Sequence, residues 1–326
     1  MKKLILFIFF VIISLFKIST LNAYNPHSYI VYDSQNKQVL AGENIDTISL
    51  IASTTKILTA IVAIENGNLF DSYVANKDDC NMEGSKVYLK EGESYFLYDL
   101  LYGLMLRSGN DCANIIARNV CEYKLFIQLM NKKCRELKMK NSTFENPSGL
   151  DTLNENRSTA YDMAILMSYA MENEIFREIS SKHSYRASSI EGTYYFWKNK
   201  DKSIIYDERF IAGKTGYTKK SGRVLVNYAE TNDKSLVIVT INDSNDWSNH
   251  KKYLDKYSKV EKCIILREGI YKIENYKIEI ENLIKIYGLK DSKKRINYKL
   301  LIKDKSYLLI YFDDLYIKTC EVKLIY

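Results

Sequence analysis

Histidine, proline and tryptophan are scarce in this 326-residue chain, with three His (His27, His183, His250), two Pro (Pro26, Pro147) and two Trp. The histidines lie far apart and without partner patterns, so neither a Ser–His–Asp triad nor a zinc site is expected. No GxSxG, HExxH or P-loop segment occurs. That removes nucleophile-elbow hydrolases, zinc peptidases and P-loop NTPases. The six cysteines form no CxxC pair. A chain of this length needs no disulfides even if exported, so buried free thiols are expected. Thirteen glycines and two prolines leave no low-complexity linker. No apolar run reaches the roughly 20 residues of a membrane span. The net charge of +7 is too mild, and too unclustered, for a nucleic-acid footprint.

What is present is globular: 46% hydrophobic and 27% charged residues, enough for one large domain or two ordinary ones. Met1-Lys2-Lys3 precedes an apolar run, Leu4 to Phe16, broken only by Ser14. Thirteen residues fit the roughly 7–15 of a secretory signal, with cleavage after Ala23. Leu21 is a poor residue near such a cut, so an uncut N-terminal anchor stays open. Export, to the outer face of the membrane, the wall or the medium, is the expectation. Residues 1–23 carry three Lys and no acid, so the remainder holds 44 basic and 40 acidic residues. Fourteen basic and ten acidic residues lie in 260–326, which leaves 24–259 balanced at 30 each. A basic tail hints at peripheral contact with an anionic wall or membrane surface, against the plainer reading of a solvated lysine-rich face.

Alternation predicts a strand over Ser28–Asp33, turned at Asn36-Lys37 into Gln38–Ala41. From Ser53 an apolar helical face (Ile57, Leu58, Ile61, Val62, Ile64) runs to Asn66-Gly67. Residues 96–171 read as mostly helical, with loops at Ser108 and at Asn146-Pro147-Ser148-Gly149. Arg223–Ala229 and Leu236–Ile241 form an antiparallel pair around Thr231–Lys234. Trp247–Lys259 closes a first domain as a helix. The tail, 260–326, alternates in short strands and reads as a small all-β domain. The domain scheme is thus 1–23 signal, 24–259 catalytic and 260–326 β-rich.

A serine hydrolase can dispense with His if a Lys three residues along a helix takes the proton. Ser-x-x-Lys occurs at Ser14, Ser34, Ser53 and Ser248, but only Ser53-Thr54-Thr55-Lys56 opens a strongly amphipathic helix. There, backbone N–H groups point at a developing oxyanion. Ser108-Gly109-Asn110 follows 55 residues later, and Lys214-Thr215-Gly216 a further 106. Ser-x-x-Lys, Ser-Asp-Asn and Lys-Thr-Gly in this order are the signature of penicillin-binding proteins and class A β-lactamases, and here Gly109 stands in place of the Asp. Each alone has a plain reading: Ser108 as a loop hydroxyl, Asn110 as a helix cap, Thr215 as a strand former.

On these residues, with Phe144–Leu150, Ser158–Asp162 and Gly213–Thr218, the chain resembles the low-molecular-weight D-alanyl-D-alanine carboxypeptidases over residues 27–258. The resemblance implies an α/β (α+β) fold of the DD-peptidase/β-lactamase type, an antiparallel sheet with a helical subdomain, then a small β domain. It implies Ser53 as nucleophile, Lys56 as general base and Ser108 as proton relay. Asn110, Lys214, Thr215, Gly216 and Tyr217 would bind substrate, the N–H groups of Ser53 and Tyr217 forming the oxyanion hole. The substrate would be a peptidoglycan stem peptide ending in D-Ala-D-Ala. β-Lactams would inhibit covalently, and no metal or cofactor is required.

Asn156-Arg157 stands where relatives carry a His before Ser158. No Arg lies between Arg223 and Arg267 to help hold a substrate carboxylate. Members commonly end in an amphipathic membrane helix, whereas the tail here alternates as strands. Asn146–Gly149 is expected to be a shaped turn, and Asp162 to support a helix start. The alternatives are a β-lactamase, which needs a Glu where Leu150 stands in Leu150–Asn154, and a catalytically dead penicillin-binding wall scaffold.

Overall fold

The computed structural model describes residues 27–151, 155–287 and 296–325. The expected signal segment, 1–23, lies outside them. Five antiparallel strands form the main sheet: β1 (Ser28–Asp33), β2 (Gln38–Glu43), β3 (Phe210–Thr218), β4 (Gly222–Glu230) and β5 (Ser235–Ile241), in the spatial order β2-β1-β5-β4-β3. The chain ends of this sheet pair in its middle, with Val31 opposite Ile238. The first turn closes because Asp33 Oδ1 accepts the Asn36 N–H at 2.8 Å and Lys37 takes a left-handed φ of 50°. Period-two alternation sends Val237, Val239 and Ile241 into one core and Leu236 and Ile238 into another.

The larger core lies between the sheet and helices α1 (Lys56–Asn66), α2 (Leu97–Leu106), α3 (Asn110–Val120), α4 (Tyr123–Glu136) and α5 (Ala160–Ala170). Every residue of α1 from Lys56 to Ala63 is buried, so it is a central helix and not the amphipathic surface helix that its sequence suggests. Ser53 precedes it in a 3₁₀ turn, Ala52–Thr55. Helix α6 (Asp246–Tyr257) covers the other face of the sheet through Leu254. As expected, Asp162 supports the start of α5: Thr159 accepts its N–H, and its own carboxylate accepts from Asn141 N–H and the Ser142 hydroxyl.

The tail is a second five-stranded antiparallel sheet: β6 (Gly269–Ile273), β7 (Tyr276–Ile280), β8 (Ile296–Ile302), β9 (Ser306–Phe312) and β10 (Leu315–Ile325), ordered β6-β7-β10-β9-β8. It has its own apolar core around Ile278, Leu308 and Ile310. It also leans on the first unit. Leu315 and Tyr316 pack against the main core, and Tyr316 meets Tyr161 edge-on at 5.8 Å. Gln38 exchanges two hydrogen bonds with the Tyr287 backbone. Cys80, Cys112, Cys121, Cys134 and Cys320 are free, but only Cys112 and Cys134 are fully buried. Among the described residues no helix is long and apolar enough to cross a membrane.

Candidate active site

Three segments converge beside the N-terminus of α1. The first is the Ser53 turn, entered through Ala52 at φ 46°, a left-handed conformation that costs a non-glycine residue free energy. The second is the loop between α2 and α3, where Ser108 sits at φ 63°. The third is β3, an edge strand of the main sheet. Lys214-Thr215-Gly216 lies in the middle of this strand, not at the opening of the β4–β5 pair as the alternation suggests. Gly216 permits the approach, because a Cβ there would stand 3.2 Å from Ser53 N and 3.1 Å from Ile51 O.

Lys56 is fully buried, and its Nζ has three neighbours: Ser53 Oγ at 3.0 Å, Asn110 Oδ1 at 2.7 Å and Ser148 O at 2.5 Å. Two of these are carbonyl oxygens, which can only accept. A neutral amine has two N–H donors and one lone pair. The carbonyls take the two donors, and the lone pair is left facing the Ser53 hydroxyl proton. Burial, followed by the neighbouring Lys214 cation, drives the Lys56 ammonium well below its ordinary range, so the neutral form is the one the site favours.

Lys214 is buried as well and donates to Ser108 Oγ at 2.9 Å and Thr215 O at 2.8 Å. As an ammonium it keeps a third proton for a ligand, while the Ser108 hydroxyl proton is free to point elsewhere. Desolvation and Lys200 lower the Lys214 pKa to about 7, and Asp201 works against that fall. Burial thus presses both lysines toward the neutral form, with Asp201 opposing it at Lys214.

Asn110 is not a helix cap, the plainer reading of its sequence: its side chain spans from Lys56 to the Glu83 carbonyl, which its Nδ2 reaches at 2.6 Å. Tyr217 presents an exposed ring at the rim. The structure thus brings Ser53, Lys56, Ser108, Asn110, Lys214 and Gly216 together, with Thr215 and Tyr217 on the same strand as Lys214.

Five further residues join them. Ser148 offers its carbonyl to Lys56, so the 146–149 turn is part of the base's environment and not merely a shaped loop. Gly149 is required there, with φ 80° and a hypothetical Cβ only 2.0 Å from Ala52 O. Asn156, in the place of the relatives' His, joins Thr55 Oγ1 (3.0 Å) to Asn146 O (2.8 Å) and accepts two N–H groups of the same turn. The Asp111 carboxylate accepts the N–H groups of Val87, Tyr88 and Leu89, fixing the loop that borders the cleft. Lys200 adds a third cation, donating to Ser85 Oγ at 3.1 Å. The Pro147 turn was visible as one of two prolines in the chain, and Asn156 as the residue in place of the relatives' His; Asp111 and Lys200 carry no such mark. No group of residues suited to holding a metal ion occurs among the described residues.

A serine hydroxyl 3.0 Å from a buried lysine, with Ser108 of the α2–α3 loop bonded to Lys214 of the edge strand, is an arrangement suited to a serine hydrolase that uses lysine in place of histidine. Comparison with known proteins narrows the class. The family model for D-alanyl-D-alanine carboxypeptidases matches residues 17–245. A D-alanyl-D-alanine carboxypeptidase of Mycobacterium tuberculosis is 34% identical over 212 residues, 65% of this chain and 72% of that protein. One from Bacillus subtilis is 27% identical, over 68% of this chain and 58% of the relative. Among solved structures, a D-alanyl-D-alanine carboxypeptidase of Mycobacterium tuberculosis aligns with a TM-score of 0.67 at 31% identity, covering 71% of this chain and 90% of that one. The DD-transpeptidase of Streptomyces K15 aligns at 0.66 and 27% identity, covering 70% and 94%. The chain belongs to the D-alanyl-D-alanine carboxypeptidase family of serine peptidases.

Proposed function

We propose that this protein removes the terminal D-alanine from peptidoglycan stem peptides through an acyl-enzyme on Ser53, in cell-wall synthesis or remodelling, and that penicillin traps it there. The observation that carries the reading is the Lys56 Nζ to Ser53 Oγ approach of 3.0 Å, with both amine donors of Lys56 already taken. Ser53 Oγ attacks the carbonyl between the two D-alanines while its proton passes to Lys56. The oxyanion is held by the N–H groups of Ser53 and Tyr217; one such donor contributes about 2.7–4 kcal/mol. Ser108 carries the proton to the leaving amine, Asn110 holds the peptide, and Lys214 with Thr215 grips the terminal carboxylate. Water then releases the acyl group from Ser53.

Residues 24–259 form the catalytic unit and 260–326 a β-rich accessory unit. Residues 1–23 direct export to the wall side of the membrane, where the stem peptides lie. Two measurements test the assignment. Diacetyl-Lys-D-Ala-D-Ala should release D-alanine, and penicillin should abolish the release. Digestion of the penicillin-treated protein should place the covalent adduct on the Ser53 peptide. An adduct at Ser34 or Ser248, or none, refutes the nucleophile. Rapid turnover of penicillin with no lasting adduct would favour the β-lactamase reading, and adduct without D-alanine release would favour a wall scaffold.

A further inference from the structure

Behind β3, on the face away from Lys56, lies a buried polar chain that the reaction scheme leaves unused. Asp201 caps the short helix Lys202–Tyr206, its Oδ1 accepting the Ser203 N–H at 2.9 Å. Its Oδ2 accepts from Asn227 Nδ2 of β4 at 2.6 Å. Asn227 Oδ1 lies 2.7 Å from His250 Nδ1 of α6, and His250 Nε2 lies 3.0 Å from Thr240 Oγ1 of β5. All four side chains are buried.

Donor and acceptor roles follow from one end. A carboxylate only accepts, so Asn227 presents its amide nitrogen to Asp201 and its oxygen to His250. His250 therefore carries its proton on Nδ1, and Nε2 accepts from Thr240. Burial keeps that imidazole neutral, its pKa pressed down to about 3. Both Asp201 oxygens accept from N–H donors, which favours the charged form, while burial works the other way and raises its pKa to about 6. The chain ends at Gly213, next to Lys214. A Cβ on Gly213 would lie 2.2 Å from both Asp201 Oδ2 and Asn227 Nδ2. The missing side chain is what lets a carboxylate reach the backbone of the lysine strand.

We propose that Asp201 is a positioning residue for the reaction: acting across the backbone of β3, its carboxylate holds Lys214 as the cation that receives the substrate's terminal carboxylate. Asn227 and His250 hold Asp201 in turn. The proposal rests on the reading of Lys214 given above. The other charges that bear on Lys214 and its neighbour are cations, Lys200 from the loop before Asp201 and Lys56 from α1. Asp111, with Cys112 next to it, bears on Lys56 and is held by four backbone N–H groups. Asp201 is thus the carboxylate that opposes loss of the Lys214 proton. It also supports Lys56 indirectly, since a cationic Lys214 keeps Lys56 neutral.

Asp201→Asn suits the test, because the chain can reverse its polarity without moving atoms. The new amide would donate to a flipped Asn227, Asn227 to His250 Nδ1, and His250 Nε2–H to Thr240. ¹⁵N spectra should therefore show His250 protonated on Nδ1 in the wild type and on Nε2 in the variant. Kinetics would compare two esters of diacetyl-Lys-D-Ala, one with D-lactate, which carries a carboxylate, and one with methanol, which does not. For the wild type, KM of the lactate ester should rise above about pH 7 while the methyl ester stays level. In Asp201→Asn that rise should begin at lower pH, with KM up about tenfold near neutrality and kcat changed less than about threefold.

Equal losses on both esters, with the inflection unmoved, would reduce Asp201 to a structural role and overturn the proposal. Indifference of wild-type KM to the carboxylate would instead overturn the reading of Lys214, and the proposal with it. Should Asp201→Asn fail to fold, the reciprocal measurement decides. The Asp201 carboxyl, followed by ¹³C, should titrate near pH 6 in the wild type and higher in Lys214→Met. An unmoved midpoint would show that the two groups do not interact.

Discussion

Two buried lysines stand in one site, and burial lowers the pKa of both, Lys56 feeling the Lys214 cation and Lys214 the opposing pull of Asp201. Two substitutions separate the roles. Lys56→Arg should abolish acylation by penicillin, because a guanidinium does not deprotonate in the working range and its planar fork does not fit the pocket. Lys214→Arg keeps the charge and should retain a measurable fraction of acylation, roughly a tenth to a hundredth. Stopped-flow acylation rates distinguish them, and equal loss would mean that Lys56 acts only through its charge.

At the level of elements, the site is a meeting of backbones as much as of side chains. The 146–149 turn supplies the Ser148 carbonyl to Lys56, and Gly149 alone lets that turn lie on the Ala52 carbonyl. Gly149→Ala should therefore cost about 3 kcal/mol or more, combining a positive φ with a direct clash. It should also slow acylation, measured as urea midpoint and acylation rate on the same protein. The sheet-to-α6 contact carries a pH signature. His250 has a folded pKa near 3, below its unfolded 6.5, so its share of stability is complete above about pH 6.5 and is lost as pH falls toward 3. Asp201, raised to about 6 from 3.8, has the opposite sign and adds stability as pH falls through that window. His250→Gln removes only the first effect. Although less stable at neutral pH, it should lose less stability than the wild type between about pH 6 and 4, which denaturant midpoints across that range would show.

Across the whole molecule, the β-rich tail is joined to the first unit by aromatic and aliphatic packing and by the two hydrogen bonds between Gln38 and Tyr287. Tyr316 stands against Tyr161, which stands against Tyr32 of β1, and Tyr287 closes the core under α6. A chain ending at Lys259 keeps every motif residue but bares those faces. It should retain penicillin acylation of Ser53 while its Tm falls by several degrees, as loss of a few kcal/mol of apolar burial implies. Calorimetry and adduct mass on the shortened protein test both halves; loss of acylation at a temperature where it is still folded would tie the tail to the site.

How much of this was legible in the order of residues follows from the range of the forces involved. Ser53 and Lys56 share a helical face, Ser108 and Asn110 flank one loop, and Lys214 to Tyr217 share one strand. Local geometry links the members of each group, so the sequence by itself determined which residues stand together within each of the three segments. Alternation likewise determined β1, β2, β4 and β5 and the all-β character of the tail. Only the tertiary structure decided that α1 is buried all round, that Lys-Thr-Gly lies mid-strand on a sheet edge, and that Ser148, Asp111, Asn156 and Lys200 complete the cleft. The same holds for Asp201, Asn227 and His250, which lie on separate elements 23 to 26 residues apart. Their partnership appears only when burial removes water and each polar atom must find its partner in another element.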